Sequence, residues 1–172
     1  YLADIQRNRE EAGFGGPKEE FLATLGMRFT IAPVREGDLQ RAVELTERTH
    51  QLNTTGRTFN YDELDALRQS DRHRLFINTL EDRHGPYGRI GLTLVACEPG
   101  AWTIQLLLMS CRVMARGVGS IMINHLVNEA RRNGVRLLAD FIPNDRNRMM
   151  EVTYRFAGFR EVEARDGVAV LE

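Results

Sequence analysis

Apolar positions along the chain recur at helical or strand spacing in a definite order. "RFTIAPV" (28–34) predicts a strand. "REGDLQRAVELTERTHQL" places Leu39, Ala42, Val43, Leu45 and Leu52 on one helical stripe behind an Asp38 cap. After the polar break "NTTGRTFN", "YDELDALRQ" predicts a second short helix. Strand-like runs follow in "HRLFINTLE", "GRIGLTLVACE" and "AWTIQLLLMSCRV", joined by the hairpin-like "DRHGPYG" and "EPGA". "GVGSIMINHLVNEARRNG" has Val118, Ile121, Met122, Leu126 and Ala130 at i, i+3, i+4 spacing and a Gly134 stop, which predicts a long helix. "VRLLADFI" reads as a strand, "NRMMEVTYRFAG" as a helix and "FREVEARDGVAVLE" as a closing strand pair. The order β-αα-βββ-α-β-α-β predicts an α+β, mixed-sheet domain over residues 28–172, with a right-handed parallel crossover around the long helix. Residues 1–27 read as a charged helical lead-in broken by "GFGGP".

At 172 residues the chain fits one domain plus that lead-in. A net charge of −1, with both signs interspersed, gives no basic stripe for nucleic acid or an anionic membrane. No apolar stretch approaches the ~20 residues that cross a bilayer. The two cysteines, Cys97 and Cys111, lack metal-ligand spacing, so no metal is expected, and reduced thiols in a cytoplasmic protein are the natural reading. The abrupt start "YLADIQRNREEAG" reads as the tail of an upstream segment.

The candidate chemistry centres on "LLLMSCRVMARGVGSIMINHL" (106–126). An apolar run enters an Arg-Gly-x-Gly turn and then the helix, whose first N–H groups lack intrahelical partners. The helix dipole and Arg116 would hold a phosphate there, although a Gly-x-Gly turn is also an ordinary strand-to-helix connection. On strand alternation Cys111 would share a face with Gln105, Leu107 and Met109, as a small core residue or as a thiol activated by Arg112 and Arg116. His125 lies on the apolar stripe ~12 Å past the turn and reads as a core histidine. His50 and His84 stand in polar segments from which a site is reachable. "RTHQLNTTGR" crowds Thr49, Gln51, Asn53, Thr54, Thr55 and Arg57 together, which suits either helix capping or a small polar ligand. Asn144 and Asn147 form a turn or face a ligand, and Tyr154 is a core residue or a proton donor.

Strand, Arg-Gly-x-Gly turn, helix, strand and then "YRFAGF" resemble the GCN5-related N-acetyltransferase (GNAT) fold. That resemblance implies coenzyme A pyrophosphate at the turn, its pantetheine arm beside the preceding strand, and Tyr154 where many members protonate the leaving thiolate. Met114 stands where Gln or Arg is common. More specifically, "LTERTHQLNTTGRTF", "DRHGPYGRIGLTLV", "LLLMSCRVMARGV" and "FIPNDRN" with "YRFAGF" resemble the C-terminal half of FkbH-like proteins. These make glyceryl-acyl carrier protein for methoxymalonyl extender units in polyketide pathways. The chain departs from their pattern at His50, His84, Gly119 and "PNDRN".

The resemblance implies a glyceryl group passing through a Cys111 thioester to the phosphopantetheine thiol of an acyl carrier protein. Val113, Arg116, Gly117, Val118, Gly119, Ser120 and Asn147 would hold the phosphopantetheine (or coenzyme A). Thr49, Asn53, Thr55, Arg57 and Asn144 would face the acyl group. The family's N-terminal haloacid dehalogenase-like phosphatase, with its Asp-x-Asp-x-Thr nucleophile, has no counterpart in this sequence and is expected as an upstream or separate partner. The alternatives are an acetyl-CoA-dependent N-acetyltransferase and a non-catalytic carrier-protein docking module.

Overall fold

The computed structural model describes residues 2–172, apart from the side chain of Ala115. Seven strands form one sheet: β1 (Arg28–Pro33), β2 (His73–Asp82), β3 (Gly85–Glu98), β4 (Ala101–Met109), β5 (Arg136–Phe141), β6 (Glu161–Arg165) and β7 (Val168–Leu171). Their order is β1-β2-β3-β4-β5-β7-β6. Every neighbouring pair is antiparallel except β4 and β5, which run parallel. The predicted crossover produces that pair, because a strand that returns through a helix comes back in the same direction.

Six helices accompany the sheet: α1 (Leu2–Gly13), α2 (Lys18–Thr24), α3 (Leu39–Arg48), α4 (Tyr61–Gln69), α5 (Val118–Arg132) and α6 (Arg148–Phe156). Leu92, Leu94, Leu106 and Leu108 pack with Leu39, Ala42, Leu45 and Leu64 of α3 and α4. Val95, Ile104, Leu107 and Met109 pack with Met122, Leu126 and Tyr154 of α5 and α6. Since β3 and β4 are covered on both faces, they read as continuous apolar runs with no alternation.

The central strands carry the irregularity that shapes the site. Leu94 pairs with Leu106 and Val95 with Ile104, so Gln105 is a bulged residue without a partner on β3. The parallel pairing of β4 with β5 also stops at Ile104–Ala139. Beyond it the two strands separate.

Two sequence expectations need correction. The strand predicted through Val113 ends at Met109, and Cys111–Arg116 form a 3-10 turn. Ser110 makes the last sheet contact, its amide donating to Ile90 O at 2.6 Å, and Val113 N then closes the turn on Ser110 O at 3.0 Å. Gly117, at φ 72°, supplies the left-handed step from which α5 starts. Cys111 therefore does not share a strand face with Leu107 and Met109.

The lead-in is helical as expected, but it packs against the domain. Buried Arg7 donates through Nε to Asp82 Oδ2 (2.7 Å) and through Nη2 to Asp82 Oδ1 (3.0 Å) and Gly85 O (2.7 Å). Its guanidinium stacks 3.8 Å from the Tyr87 ring centroid, and Tyr87 Oη donates to Asp82 at 3.0 Å. Phe21 and Leu25 are buried beside it.

Candidate active site

The gap where β4 leaves β5 is occupied by the chain itself. The segment after α3 runs along β4, with Asn53 bridging Leu108 in antiparallel fashion. Thr54 N donates to Leu107 O (3.1 Å), Leu107 N donates to Thr54 Oγ1 (3.0 Å) and Met109 N donates to Leu52 O (2.9 Å). Across the gap, Ile142 N donates to Thr54 O at 3.0 Å. Asn147, fully buried at the start of α6, donates from Nδ2 to Asn53 O (3.1 Å) and Ile142 O (2.9 Å). Its Oδ1 accepts from Asn144 N at 3.0 Å, while Asn144 Oδ1 accepts from the amides of Arg146 and Asn147.

The hydroxyl and amide groups that suggested a ligand site are thus largely committed within the chain. Buried Asn53 donates to Thr49 O and accepts from the amides of Thr55 and Gly56. Thr55 donates to Gln105 O at 3.4 Å. Arg57 is exposed and lies 3.9 Å from Asp140. Burial pushes the Asp140 carboxyl above its usual range, with Arg57 and Arg165 opposing the shift.

Cys111 lies elsewhere. It is exposed, on the wall of an open cavity of about 740 Å³ between the end of α3 and the 3-10 turn. Arg41, Arg48, Arg112 and Arg146 line this cavity, with His50 and Gln51 beside them. Arg41 is neutralised by Glu44 at 2.8 Å. Arg48, Arg112 and Arg146 have no carboxylate partner among the described residues, so the cavity is electropositive. Thr49 also lines it, as the C-cap of α3.

The predicted phosphate turn is only partly available. Gly117 and Ser120 are exposed at the N-terminus of α5, whose first amides lack intrahelical partners. A Cβ at Gly119 would come no nearer than 3.8 Å to Thr153, so packing against α6 does not require glycine there. Val113 is fully buried and Val118 nearly so. Arg116 is buried too and pairs with Glu11 of α1 at 3.2 Å; its Nη1 has no partner among the described residues.

A coenzyme A-type group fits this arrangement at one end only. The α5 N-terminus suits a phosphate. The arm does not fit beside β4, because Leu52 and Thr54 already bond the strand edge it would use. The space left between α5 and α6 is about 50 Å³, walled by Leu52, Met109, Val113 and Met150. Ligand cavities ordinarily hold roughly 300–1,000 Å³. The expectation of a pantetheine arm beside β4 is not met.

Tyr154 is completely buried, its ring edge-on to Phe159 at 5.2 Å. Burial pushes its phenol far above the ordinary value, and the Asp140 carboxylate adds to the shift. Among the described residues the hydroxyl makes no hydrogen bond of ordinary geometry, although Thr54 beside it opposes the shift. His125, half-buried on α5, has its ring edge-on to Phe76, and His84 contacts Glu10 at 3.0 Å. His50 is the histidine that reaches the Cys111 cavity.

Sequence reasoning did not find the arginine wall. Arg48 ends a helix and Arg146 sits in a turn almost a hundred positions later, so no local pattern joins them. Asp140 did leave a signal, as a lone charge inside "LLADFI".

The chain matches no protein-family model and no curated protein sequence. It is similar to solved structures. The ribosomal-protein-S18-alanine N-acetyltransferase from Escherichia coli aligns with a TM-score of 0.63 at 17% identity, covering 84% of this chain and 92% of that one. The aminoglycoside acetyltransferase AAC(6')-Ib, solved with coenzyme A, gives 0.61 at 21%, covering 84% and 94%. The GNAT domain of S. lividans PAT gives 0.63 at 17%, covering 82% and 87%. Likeness at these identities establishes architecture, and this chain has the GNAT fold, a mixed central sheet flanked by helices.

Proposed function

We propose that the domain is an acyltransferase that carries a glyceryl group on Cys111 and delivers it to the phosphopantetheine thiol of an acyl carrier protein. One observation carries this reading: Cys111 is an exposed thiol on the wall of an arginine-lined cavity, in the Ser-Cys-Arg block that resembles FkbH-like proteins. The Cys111 thiolate attacks the carbonyl of an activated glyceryl donor and expels its leaving group. The carrier thiolate then attacks the Cys111 thioester, taking the acyl group and returning Cys111 as thiolate. Each step exchanges one acyl–heteroatom bond for another, and His50, which lines the same cavity, is the candidate to accept the thiol proton. The Cys111 cavity supports this direct exchange, which needs no proton from buried Tyr154.

The donor would come from a haloacid dehalogenase-like phosphatase partner, in the cytoplasm and in the service of polyketide extender-unit synthesis. No group of three or more potential metal ligands occurs among the described residues, and the proposed exchange assigns no step to a metal. The second reading is direct acetyl transfer from coenzyme A, favoured by the open α5 N-terminus and by the coenzyme A in the aminoglycoside acetyltransferase structure.

The test is a chase. Protein treated with a glyceryl thioester is desalted and mixed with holo carrier protein, and the carrier is weighed. Glyceryl-carrier is expected from the native chain and not from Cys111→Ala. Equal transfer by both would place the acyl group on a residue other than Cys111. No transfer by either, with the carrier acylated only while the donor is left in the mixture, would move the assignment to direct transfer; no acylation under either condition would leave a docking module.

A further inference from the structure

We infer that the opening between β4 and β5 is closed in this protein by its own residues Leu52–Thr55, so a thiol arm reaches Cys111 from the cavity between α3 and the 3-10 turn. Three hydrogen bonds satisfy the β4 edge at Leu107 and Met109, and a fourth ties the inserted segment to Ile142 beyond β5. Asn147 fixes the insert from inside the core, sharing its two amide protons between Asn53 O and Ile142 O. Leu52, Asn53, Thr54 and Thr55 are all buried. An arm entering this gap would have to displace that buried segment and break the hydrogen bonds it makes to Leu107, Met109, Ile142 and Asn147.

The cavity on the other side is open, already holds the exposed thiol, and presents Arg48, Arg112 and Arg146 to an anionic arm. A phosphodiester carried on a flexible thiol arm matches that chemistry, since guanidinium groups bind phosphate oxygens bidentately. The route, though not the closure, rests on the reading that Cys111 exchanges with a thiol arm.

Two measurements on the native chain test this. In hydrogen exchange with coenzyme A as the probe, the Leu107, Met109 and Ile142 amides should stay protected and unchanged whether or not coenzyme A binds elsewhere. Saturable binding that alters exchange at these amides would overturn the closure. The second measurement follows the mixed disulfide of coenzyme A with 2-thiopyridine. Attack by the Cys111 thiolate forms a protein–coenzyme A disulfide and releases pyridine-2-thiolate, which takes up the proton the thiol lost and becomes 2-thiopyridone. Arg48→Ala with Arg146→Ala should slow this reaction roughly tenfold, as loss of a steering field does. Labelling by uncharged 2,2'-dithiodipyridine should be unaffected, which controls for folding. Equal rates with both reagents would overturn the route. Neither readout needs a glyceryl donor, so failure of acyl transfer leaves both results standing and is recognised separately.

Discussion

Arg7 and Asp82 form a buried charged contact joined by two hydrogen bonds, with Asp4 at 2.7 Å as a second carboxylate on Arg7. Burial alone would push the Asp82 carboxyl up, but Arg7, the His84 amide and the Tyr87 hydroxyl outweigh it and hold it below the usual range. A carboxylate with a depressed folded pKa contributes stability that is present above the unfolded value of about 3.9 and is lost as pH falls through the folded value. Acid titration followed by tryptophan fluorescence and circular dichroism should show α1 detaching below about pH 4 in the native chain. Asp82→Asn should lose about 1–3 kcal/mol in urea unfolding, since Arg7 loses its buried carboxylate but keeps Asp4 and Gly85 O, and should show a weaker acid transition. Tyr154→Phe is its opposite. It removes a buried hydroxyl that makes no well-formed hydrogen bond among the described residues, so stability should hold or rise by about 1 kcal/mol, while Cys111 acylation proceeds at the native rate.

At the scale of elements, the segment from Leu52 to Thr55 behaves as a short extra strand that ties β4 to the end of β5. Asn147 is its clamp. Asn147→Ala leaves the Asn53 and Ile142 carbonyls short of a donor and should cost about 1–3 kcal/mol, read from the urea midpoint. The amides of Leu107 and Ile142 should exchange faster in that variant while those of β2 and β3 do not. Helices and hairpins were legible because each rests on a local pattern, as in α5, where Val118, Met122, Leu126 and Ala130 of the expected stripe are buried and Ile121 alone of it is exposed. The end of β4 was not, since apolar residues continue through Val113 and only a bulge and a 3-10 turn, both set by tertiary contacts, divide strand from loop. For the same reason the polar run after α3 looked like a ligand site. Its side chains are satisfied by strands far away in sequence, which composition does not reveal.

For the whole molecule, element order and the single crossover were enough to anticipate a mixed sheet with helices on both faces, and comparison with solved structures bears that out. The site was legible only in part. Cys111 and the α5 turn stood out as local motifs, while the arginine wall is assembled from α3, the 3-10 turn and the turn before α6. Because that wall is electrostatic, acylation of Cys111 by an anionic thioester should slow as ionic strength rises past about 0.15 M, where the screening length is near 8 Å, and a neutral thioester should show no such dependence. Stopped-flow rates across a salt series would check this. The most direct test of the central claim is intact-protein mass spectrometry after incubation with a glyceryl thioester, run beside Cys111→Ala. A single glyceryl adduct on the native chain, mapped to Cys111 and missing from the variant, is the predicted result. An unmodified native chain, or an equal adduct on the variant, would contradict the cysteine relay.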